Sequence, residues 1–433
     1  METASKSSHG HVINDKEVKS YLEECSLPKS KDEIELSDNL QYDFVRVSDN
    51  PIRSVVAIDG GYTTAPVRQR FPSATVAFFQ FGALFFSIDD LEKTEEQPFI
   101  DPDDMEKLKQ IQRLKLTIPV RGITLKDQPT LTHSIRRTLY DFFRKDLDEG
   151  GSLMDTLEWL VFRKYDSSST VSKWTLASSP YEGASSIPLE KSRMQSDCTW
   201  GTTHGPIFLT DVFRLHEAID DELGAGGILG YLTTAIEQII MAHIIRLVLN
   251  QRPSLLESIL FIKDGPLAFF GQTANMHKPM RALVKYLFTN HDLHLAGLEK
   301  SGEFVEHADE IAPELDEGTV LIPDNRYIYR YIIPGRADPN QPYGRTTNYG
   351  NKLVFKTESK EVHVVSIPTP SIISDPAKED LRNLDVILTN IAKLKCDMYD
   401  SALMPVALAN KLVSLANHPS SKILQRFAKG SIG

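Results

Sequence analysis

The sequence has little cysteine and no excess of positive charge. Its 433 residues include only Cys25, Cys198 and Cys396, which are far apart and form no CxxC pair. Neither a disulfide framework nor a zinc site is therefore indicated. The formal net charge is -11, which argues against a broadly basic nucleic-acid coat but leaves room for a local basic groove.

Long apolar runs are also missing. No run approaches the roughly 20 residues that a membrane-spanning helix needs. The first residues, Met1–His11, are polar and lack the apolar core of a signal peptide. We therefore expect a cytoplasmic protein that does not bind membranes.

Two short apolar runs each lead into an aspartate followed by a glycine. The first is Ser54–Tyr62 (SVVAIDGGY) and the second is Ser258–Leu267 (SILFIKDGPL). Their apolar and β-branched residues predict buried strands, and Asp-Gly predicts a turn where each strand stops. Asp59 and Asp264 would then repel each other at the strand ends unless a divalent cation lies between them. The alternative is that both are ordinary turn residues.

The two motifs resemble those of the NurA nucleases. The residues that carry the resemblance are Ala57–Gly61 (AIDGG) and Ile262–Leu267 (IKDGPL), and it extends from about Ser54 to about Leu415. NurA nucleases are metal-dependent DNA nucleases that act with the hexameric ATPase HerA. The resemblance implies an α/β fold, with an RNase H-like mixed-sheet core and helical additions, and Mn²⁺ or Mg²⁺ as cofactor. It also implies a homodimer that caps a HerA-like hexamer in DNA-end processing or anti-phage defence.

Composition and the resemblance together divide the chain into three parts. Residues 1–45 form a polar extension, residues 46–415 the nuclease-like domain, and residues 416–433 a C-terminal tail. Asp166–Gly205 is rich in Ser, Thr, Pro and Gly and is predicted to be an insertion.

Apolar periodicity predicts the remaining elements. Helices are predicted over Asn14–Cys25, Met105–Leu116, Ser134–Leu147, Ser152–Arg163, Val212–Glu222, Leu229–Leu249, Pro279–Leu287 and most of Leu381–Ala416. Strands are predicted over Ala74–Ile88 (one or two strands), Tyr327–Ile333, Lys352–Lys356 and Val362–Ile367.

A third acid is expected because two-metal phosphodiester cleavage uses several carboxylates. Glu237 is the first choice, since it is the only acid in the apolar helix that leads into the Asp264 strand. A lone carboxylate beside residues such as Ile236 costs several kcal/mol unless it is paired. The NurA pattern also has a glutamate on this helix. A surface glutamate on the polar side of the helix is the alternative, and Glu217 is the reserve.

A fourth ligand is implied by the resemblance alone. NurA-like proteins often present a histidine from a C-terminal helix near an apolar, proline-containing turn. Met404–Leu412 is similar to that helix, and the histidine would fall near Asn410. Asparagine can bind a cation through its carbonyl but cannot shuttle a proton. His418 and His363 are possible substitutes.

Basic residues suggest where DNA would bind. Lys263 is next to Asp264 and could neutralise a phosphate, although regular alternation would direct it to the opposite face of the sheet. Arg326–Tyr331 alternates basic and aromatic residues, which suits single-stranded nucleic acid but also an ordinary edge strand. The predicted DNA contacts are Lys263, Arg326, Arg330, Arg336 and Arg345.

Two other functions fit parts of the pattern. Asp59–Thr63 resembles the first phosphate loop of actin-like and sugar-kinase ATPases, which need a second glycine loop with N–H groups facing the phosphates. Here Pro266 follows Asp264-Gly265 and has no N–H to donate. The third hypothesis is a non-catalytic adaptor of a motor ATPase, in which both aspartates are turn residues only.

Overall fold

The computed structural model describes residues 12–25, 29, 31–68, 70–71, 73–88, 113–147, 150–181, 185–394, 403–415 and 420–431. The segment Met1–His11, Cys396 and the predicted ligand His418 lie outside these residues.

The strands are β1 (Gln41–Asp43), β2 (Ser54–Arg68), β3 (Ala74–Ser87), β4 (Leu114–Arg121), β5 (Lys173–Leu176), β6 (Ile187–Glu190), β7 (Thr199–Thr202), β8 (Gly205–Phe208), β9 (Ile259–Asp264), β10 (His294–Glu299), β11 (Thr319–Leu321), β12 (Gly350–Lys356) and β13 (Val362–Pro368). The helices are α1 (Lys16–Glu24), α2 (Leu131–Phe143), α3 (Leu153–Val161), α4 (Leu229–Gln251), α5 (His277–Asn290), α6 (Glu303–Ile311), α7 (Asn325–Tyr327, continued by a π-helical turn, Ile328–Ile332), α8 (Leu384–Lys393), α9 (Met404–Val413) and α10 (Ser420–Ser431).

One mixed sheet of nine strands, in the order β1-β11-β12-β13-β10-β9-β2-β3-β4, organises the described residues. β2, β3 and β4 form an antiparallel meander, whereas β9 pairs in parallel with β2, and β10 in parallel with β9. The segment β4-β3-β2-β9-β10 therefore has the strand order of an RNase H-like core. This confirms the predicted α/β fold class.

Helices cover both faces of the sheet because alternate strand residues are buried on opposite sides. Helices α2 to α5 pack on the face that includes Val56, Ile58 and Phe261. Helices α8 and α9 pack on the other face, which includes Ala57 and Ile262. We call these the α4 face and the α9 face.

Helix α4 is the central helix of its face. The stretch Gly226–Gln251 is long and apolar enough to cross a membrane by length and composition, but 67% of its apolar window is buried inside the protein. Its mainly apolar surface is thus explained by packing against α3 and β2.

The first Asp-Gly motif is not a turn, contrary to the sequence prediction. β2 continues through it to Arg68, and Asp59 pairs with Gly82 of β3 because the two long strands form an uninterrupted ladder. The second motif is a turn, as predicted. β9 ends at Asp264, and Gly265 has a φ of 85°, which favours glycine.

The prediction of a strand over Tyr327–Ile333 is wrong. The segment is helical, and its exposure follows the helical period. Arg326 and Arg330 are exposed, whereas Tyr327 and Tyr331 are buried. The alternation of basic and aromatic residues therefore marks two sides of a helix.

The prediction of a helix over Val212–Glu222 is also wrong. Val212–Glu222 forms 3₁₀ turns, Leu209–Phe213 and Leu215–Ala218, separated by Arg214 at a left-handed φ of 58° that an α-helix does not allow. Most of Met105–Leu116 lies outside the described residues, and its last residues begin β4.

The predicted insertion, Asp166–Gly205, contains the β5-β6 hairpin and most of the β7-β8 hairpin. A buried ion pair holds the segment that follows the insertion to α2. Arg136 donates to both carboxylate oxygens of Asp211 at 2.8 and 2.7 Å, and these side chains are 4% and 2% exposed. The same guanidinium donates to the Pro206 carbonyl in β8 at 3.0 Å.

Arg136→Ala is expected to lower the free energy of unfolding by about 3–5 kcal/mol, because it leaves the Asp211 carboxylate buried and unpaired. The control is Arg137→Ala, whose partner Asp141 is 2.8 Å away with both side chains about half exposed. That exposed pair should contribute less than about 1 kcal/mol to the free energy of unfolding. Urea unfolding of both variants measures the difference, and equal losses would contradict a special role for the buried pair.

Candidate active site

Two aspartates lie side by side on neighbouring strands. Ile58 of β2 is in register with Lys263 of β9, so Asp59 and Asp264 follow on strands about 4.8 Å apart. By alternation both belong to the α9 face. Asp59 is 5% exposed, and the Gly60 N–H donates to its Oδ1 at 2.8 Å. The two residues therefore lie on adjacent strands, as the sequence predicts.

Glu237 approaches the same strands from the α4 face. A Cβ on Gly60 would lie 3.0 Å from Glu237 Oε1 and 2.6 Å from the Phe81 ring. The missing side chain at Gly60 therefore gives the carboxylate its place beside β2. Lys263 points to this face, as alternation predicts, with its Nζ 3.3 Å from Glu237 Oε2.

Lys300, which the sequence analysis missed, completes the group of charges. It follows the end of β10, and its Nζ lies 3.0 Å from Asp264 Oδ2. The sequence feature that could have identified Lys300 is its position directly after the apolar run that forms β10, the strand that pairs with the Asp264 strand. The site thus combines three carboxylates with two ammonium groups.

Burial and repulsion disfavour the charged forms of two carboxyls. Burial raises the pKa of Asp59 to about 7, and the charge of Asp264 adds to the effect. Burial also raises the pKa of Glu237 to about 7; Lys263 opposes this increase, and Asp59 and Asp264 reinforce it. The two lysines therefore do not fully balance the cluster, and a further cation would stabilise it.

The adjacent aspartates fit a hard divalent cation. Mg²⁺ is commonly held by one or two carboxylates, with water and substrate phosphate completing its shell. Asp59 and Asp264 supply such a pair. Across the part of the chain that the structure describes, no three His, Cys, Asp or Glu side chains group closely enough to hold an ion. Glu237 therefore lies beside the aspartate pair rather than in a three-carboxylate group with it.

The other predicted ligands have different surroundings. Glu217 accepts two hydrogen bonds from Arg214, at 2.8 and 2.5 Å. Asn410 is exposed on α9, the helix that covers the face of Asp59. His363 is buried in β13, with its Nε2 3.8 Å from Glu361 Oε2.

The predicted DNA-binding residues divide by exposure. Lys263 is 3% exposed and its ammonium also donates to the Asp264 carbonyl, so it does not face solvent as a DNA contact would. Tyr327 and Tyr331 are buried and offer no stacking surface. The predicted arginines are all exposed: Arg326, Arg330, Arg336 and Arg345.

The segment that carries Arg345 borders the loop after Asp264. Phe269 N donates to the Thr347 carbonyl at 3.0 Å, and Tyr349 N donates to the Leu267 carbonyl at 2.9 Å. Tyr349 is fully buried, and burial together with the charge of Glu237 raises the pKa of its hydroxyl. This tyrosine therefore belongs to the interior of the site rather than to a DNA-stacking surface.

Comparisons with known proteins find similarity in structure only. No protein-family model and no curated protein matches the chain. The NurA nuclease from Sulfolobus solfataricus is 10% identical with a TM-score of 0.34, over 98% of this chain and 97% of that one. A structure of NurA with manganese is 10% identical with a TM-score of 0.29, over 90% and 91%. Another NurA structure is 11% identical with a TM-score of 0.27, over 90% of each chain.

Asp59→Asn is expected to stabilise the protein at and above neutral pH when a chelator removes divalent cations. The pKa of Asp59 rises from its ordinary 3.8 to about 7 on folding, so this carboxyl progressively destabilises the fold as the pH rises through that window. Asparagine has no charge and still accepts the Gly60 N–H bond.

The stability difference between variant and wild type should be near zero at about pH 4 and grow up to about pH 7. It should then stay constant at a few kcal/mol, since one pKa unit corresponds to about 1.4 kcal/mol. Urea unfolding at several pH values measures this difference. A difference that is independent of pH would contradict a buried charge at Asp59.

Proposed function

We propose that this chain is a deoxyribonuclease that depends on Mg²⁺ or Mn²⁺, with Asp59 and Asp264 as the metal-binding pair. The observation that carries the proposal is the β2-β9 register, which sets two carboxylates side by side in an RNase H-like sheet. A cation there would relieve both the repulsion and the burial of charge.

The side chains around the pair suit phosphodiester hydrolysis. A bound divalent metal would activate water and stabilise the leaving oxygen. Lys300 is 32% exposed beside Asp264 and is placed to pair with a phosphate oxygen of the substrate. Glu237, whose pKa is about 7, suits proton transfer at neutral pH. Its ion pair with Lys263 holds the carboxylate against β2.

The exposed arginines would guide the DNA. Arg345 lies in the segment hydrogen-bonded to the loop after Asp264, so it is the arginine with the most direct structural link to the site. Arg326, Arg330 and Arg336 precede it in the chain, and each is exposed. Arginine side chains bind phosphates without reading the base sequence, which fits a nuclease that acts on many sequences.

The ATPase alternative is disfavoured by the backbone. In the actin-like and sugar-kinase hypothesis, Gly60 and Gly61 would form a phosphate-binding loop. In this fold both residues belong to β2 and pair with Phe81 and Gln80 of β3. Their backbone groups are therefore part of a ladder rather than a loop around phosphates.

The adaptor hypothesis predicts no hydrolysis of DNA at all, so a measurement of DNA cleavage distinguishes an adaptor from a nuclease.

Asp264→Asn and Asp59→Asn are each expected to reduce cleavage of linear DNA by at least about 100-fold, because removing either charge weakens the hold on the cation. The assay uses Mn²⁺ or Mg²⁺, with ATP hydrolysis followed in parallel. Asp309→Asn, on the exposed side of α6, is the matched control and should retain activity. Wild-type activity in both site variants would contradict the proposal.

The metal itself gives a second readout. Mn²⁺ should raise the melting temperature of the wild type and leave that of Asp264→Asn nearly unchanged, because a ligand stabilises only the form that binds it. Glu237→Gln should lose cleavage, whereas Glu217→Gln should retain it because Glu217 is bound by Arg214. Loss of activity in Glu217→Gln with full activity in Glu237→Gln would reverse these roles.

We further propose a homodimer that acts with a HerA-like hexameric ATPase, which would supply the DNA. Two terminal helices support a docking role. Helix α1 buries none of its residues, and Tyr21 and Leu22 are 69% and 62% exposed. On α10, Ile423 and Phe427 are 59% and 61% exposed. Exposed apolar side chains of this kind are typical of surfaces that contact a partner.

Light scattering is expected to report about twice the chain mass of 48.7 kDa. Adding the ATPase with ATP should increase cleavage of duplex DNA, and Tyr21→Ser with Leu22→Ser should reduce that increase while leaving basal cleavage unchanged. The same double substitution in the Asp264→Asn variant is a control, because it allows binding to the ATPase to be measured without DNA cleavage. A monomer that cleaves duplex DNA equally well without the ATPase would contradict this assembly.

A further inference from the structure

A cavity of about 580 Å³ lies at the end of α4 remote from the carboxylates. Its lining includes Glu158, Trp159, Arg246, Tyr286 and His291. Arg246 follows Glu237 by nine residues on the same helix, which corresponds to about 13 Å along the axis. The cavity volume is within the range of small-molecule sites in proteins. It is therefore a concave site that is separate from the carboxylate cluster.

The cavity contains a guanidinium that no carboxylate of the described residues pairs directly. Arg246 donates to the Gly150 carbonyl at 2.6 Å and to Thr156 Oγ1 at 3.1 Å. Both acceptors are uncharged, so they fix the orientation of the guanidinium without neutralising it. The negative charge of the Asp155 carboxylate favours the protonated form of Arg246 without a direct ion pair. A half-buried, oriented arginine of this kind suits an anionic ligand group.

The carboxylate of Glu158, another lining residue, is already paired with lysine side chains. Glu158 Oε1 contacts the ammonium of Lys191 and lies 3.4 Å from the Nζ of Lys164. The Oδ2 of Asp155 accepts hydrogen bonds from the N–H and hydroxyl of Ser152, both at 2.7 Å. Within the lining, Arg246 and Lys164 balance these two carboxylates. Lys191 is not a lining residue but contacts Glu158, so it adds one positive charge next to the cavity.

Aromatic rings form the remaining wall. Tyr165 lies 4.9 Å from Trp159 and 5.1 Å from Tyr286 between ring centroids, and Tyr286 lies 5.9 Å from His291. The buried hydroxyl of Tyr165 has no hydrogen-bond partner among the described residues. Buried hydroxyls are normally satisfied, so Tyr165 leaves an unsatisfied polar atom behind this wall. The partly exposed rings of Tyr286 and His291 are the surface on which a ligand could stack.

We propose that this cavity binds a nucleoside monophosphate, with the base against the partly exposed Tyr286 and His291 and the phosphate toward Arg246 and Lys164. A planar base stacks on aromatic side chains whatever its identity. A phosphate matches the planar donors of arginine, and a carboxylate such as Asp155 can accept a hydrogen bond from a sugar hydroxyl. Inorganic phosphate would leave the aromatic wall unused, and a free nucleoside would leave the cations unused.

Calorimetric titration of the full-length Asp59→Asn variant, with chelator present, tests this proposal without any cleavage. The probes are AMP, dAMP, adenosine and inorganic phosphate. We expect AMP or dAMP to bind at least tenfold more tightly than either adenosine or phosphate, with quenching of Trp159 fluorescence. Comparison of AMP with dAMP separates a cellular ribonucleotide from a product of DNA cleavage as the natural source.

Substitutions of residues that line the cavity test whether the nucleotide binds there. Lys164→Gln, at a half-exposed side chain, and Tyr286→Leu should each weaken AMP binding at least fivefold. Lys285→Gln, on the exposed side of α5, is the matched control and should leave binding unchanged. Arg246→Lys keeps the charge but loses the planar donors, so it should also weaken binding. Unfolding curves of each variant establish that the fold is retained.

Three results would overturn the proposal. They are no binding of either nucleotide, binding of inorganic phosphate as tight as that of AMP, and affinities that Lys164→Gln and Tyr286→Leu leave unchanged. None of these measurements depends on cleavage or on a divalent metal. The nucleotide site can therefore fail while the nuclease proposal stands, and the reverse also holds.

Discussion

The parallel pairing of β2 with β9 is the constraint on which the candidate site depends. Because side chains alternate along a strand, a shift of one residue would send Asp59 and Asp264 to opposite faces of the sheet. The observed register keeps them on one face and sends Lys263 to the other, against Glu237. Apolar residues on either side hold this register, since Ile58 and Ala57 are buried in different halves of the core.

The charges at this register are only partly compensated, and this separates the site from the structural ion pairs. Arg136 and Asp211 satisfy each other with two short hydrogen bonds in the interior. At the site, three carboxylates meet two lysines, and Asp59 and Glu237 both have a pKa of about 7. Such charged groups destabilise the fold until a cation neutralises them. For this reason the charge cluster, rather than any pocket, is the candidate for chemistry.

Most of the core could be predicted from the sequence, because local patterns carry that information. The apolar run of α4 and the β-branched strands β2, β9, β12 and β13 follow from periodicity and composition. The turn at Gly265 follows from the need for a positive φ after Asp264. Asp59 and Asp264 could be selected as candidate site residues for the same reason, since each aspartate interrupts an apolar strand pattern.

Tertiary structure decided what local patterns leave open. Asp59 lies within a long strand because β3 continues to pair with β2 beyond it, and local patterns do not show how far a strand pairing extends. The Arg326–Tyr331 alternation is helical because the tyrosines find a core beneath them. Lys300 joins Asp264 only because β10 pairs with β9. Sequence determined which residues are apolar, charged or turn-forming, whereas the contacts between distant segments determined which charges meet, because electrostatic pairing depends on distance in space and not along the chain.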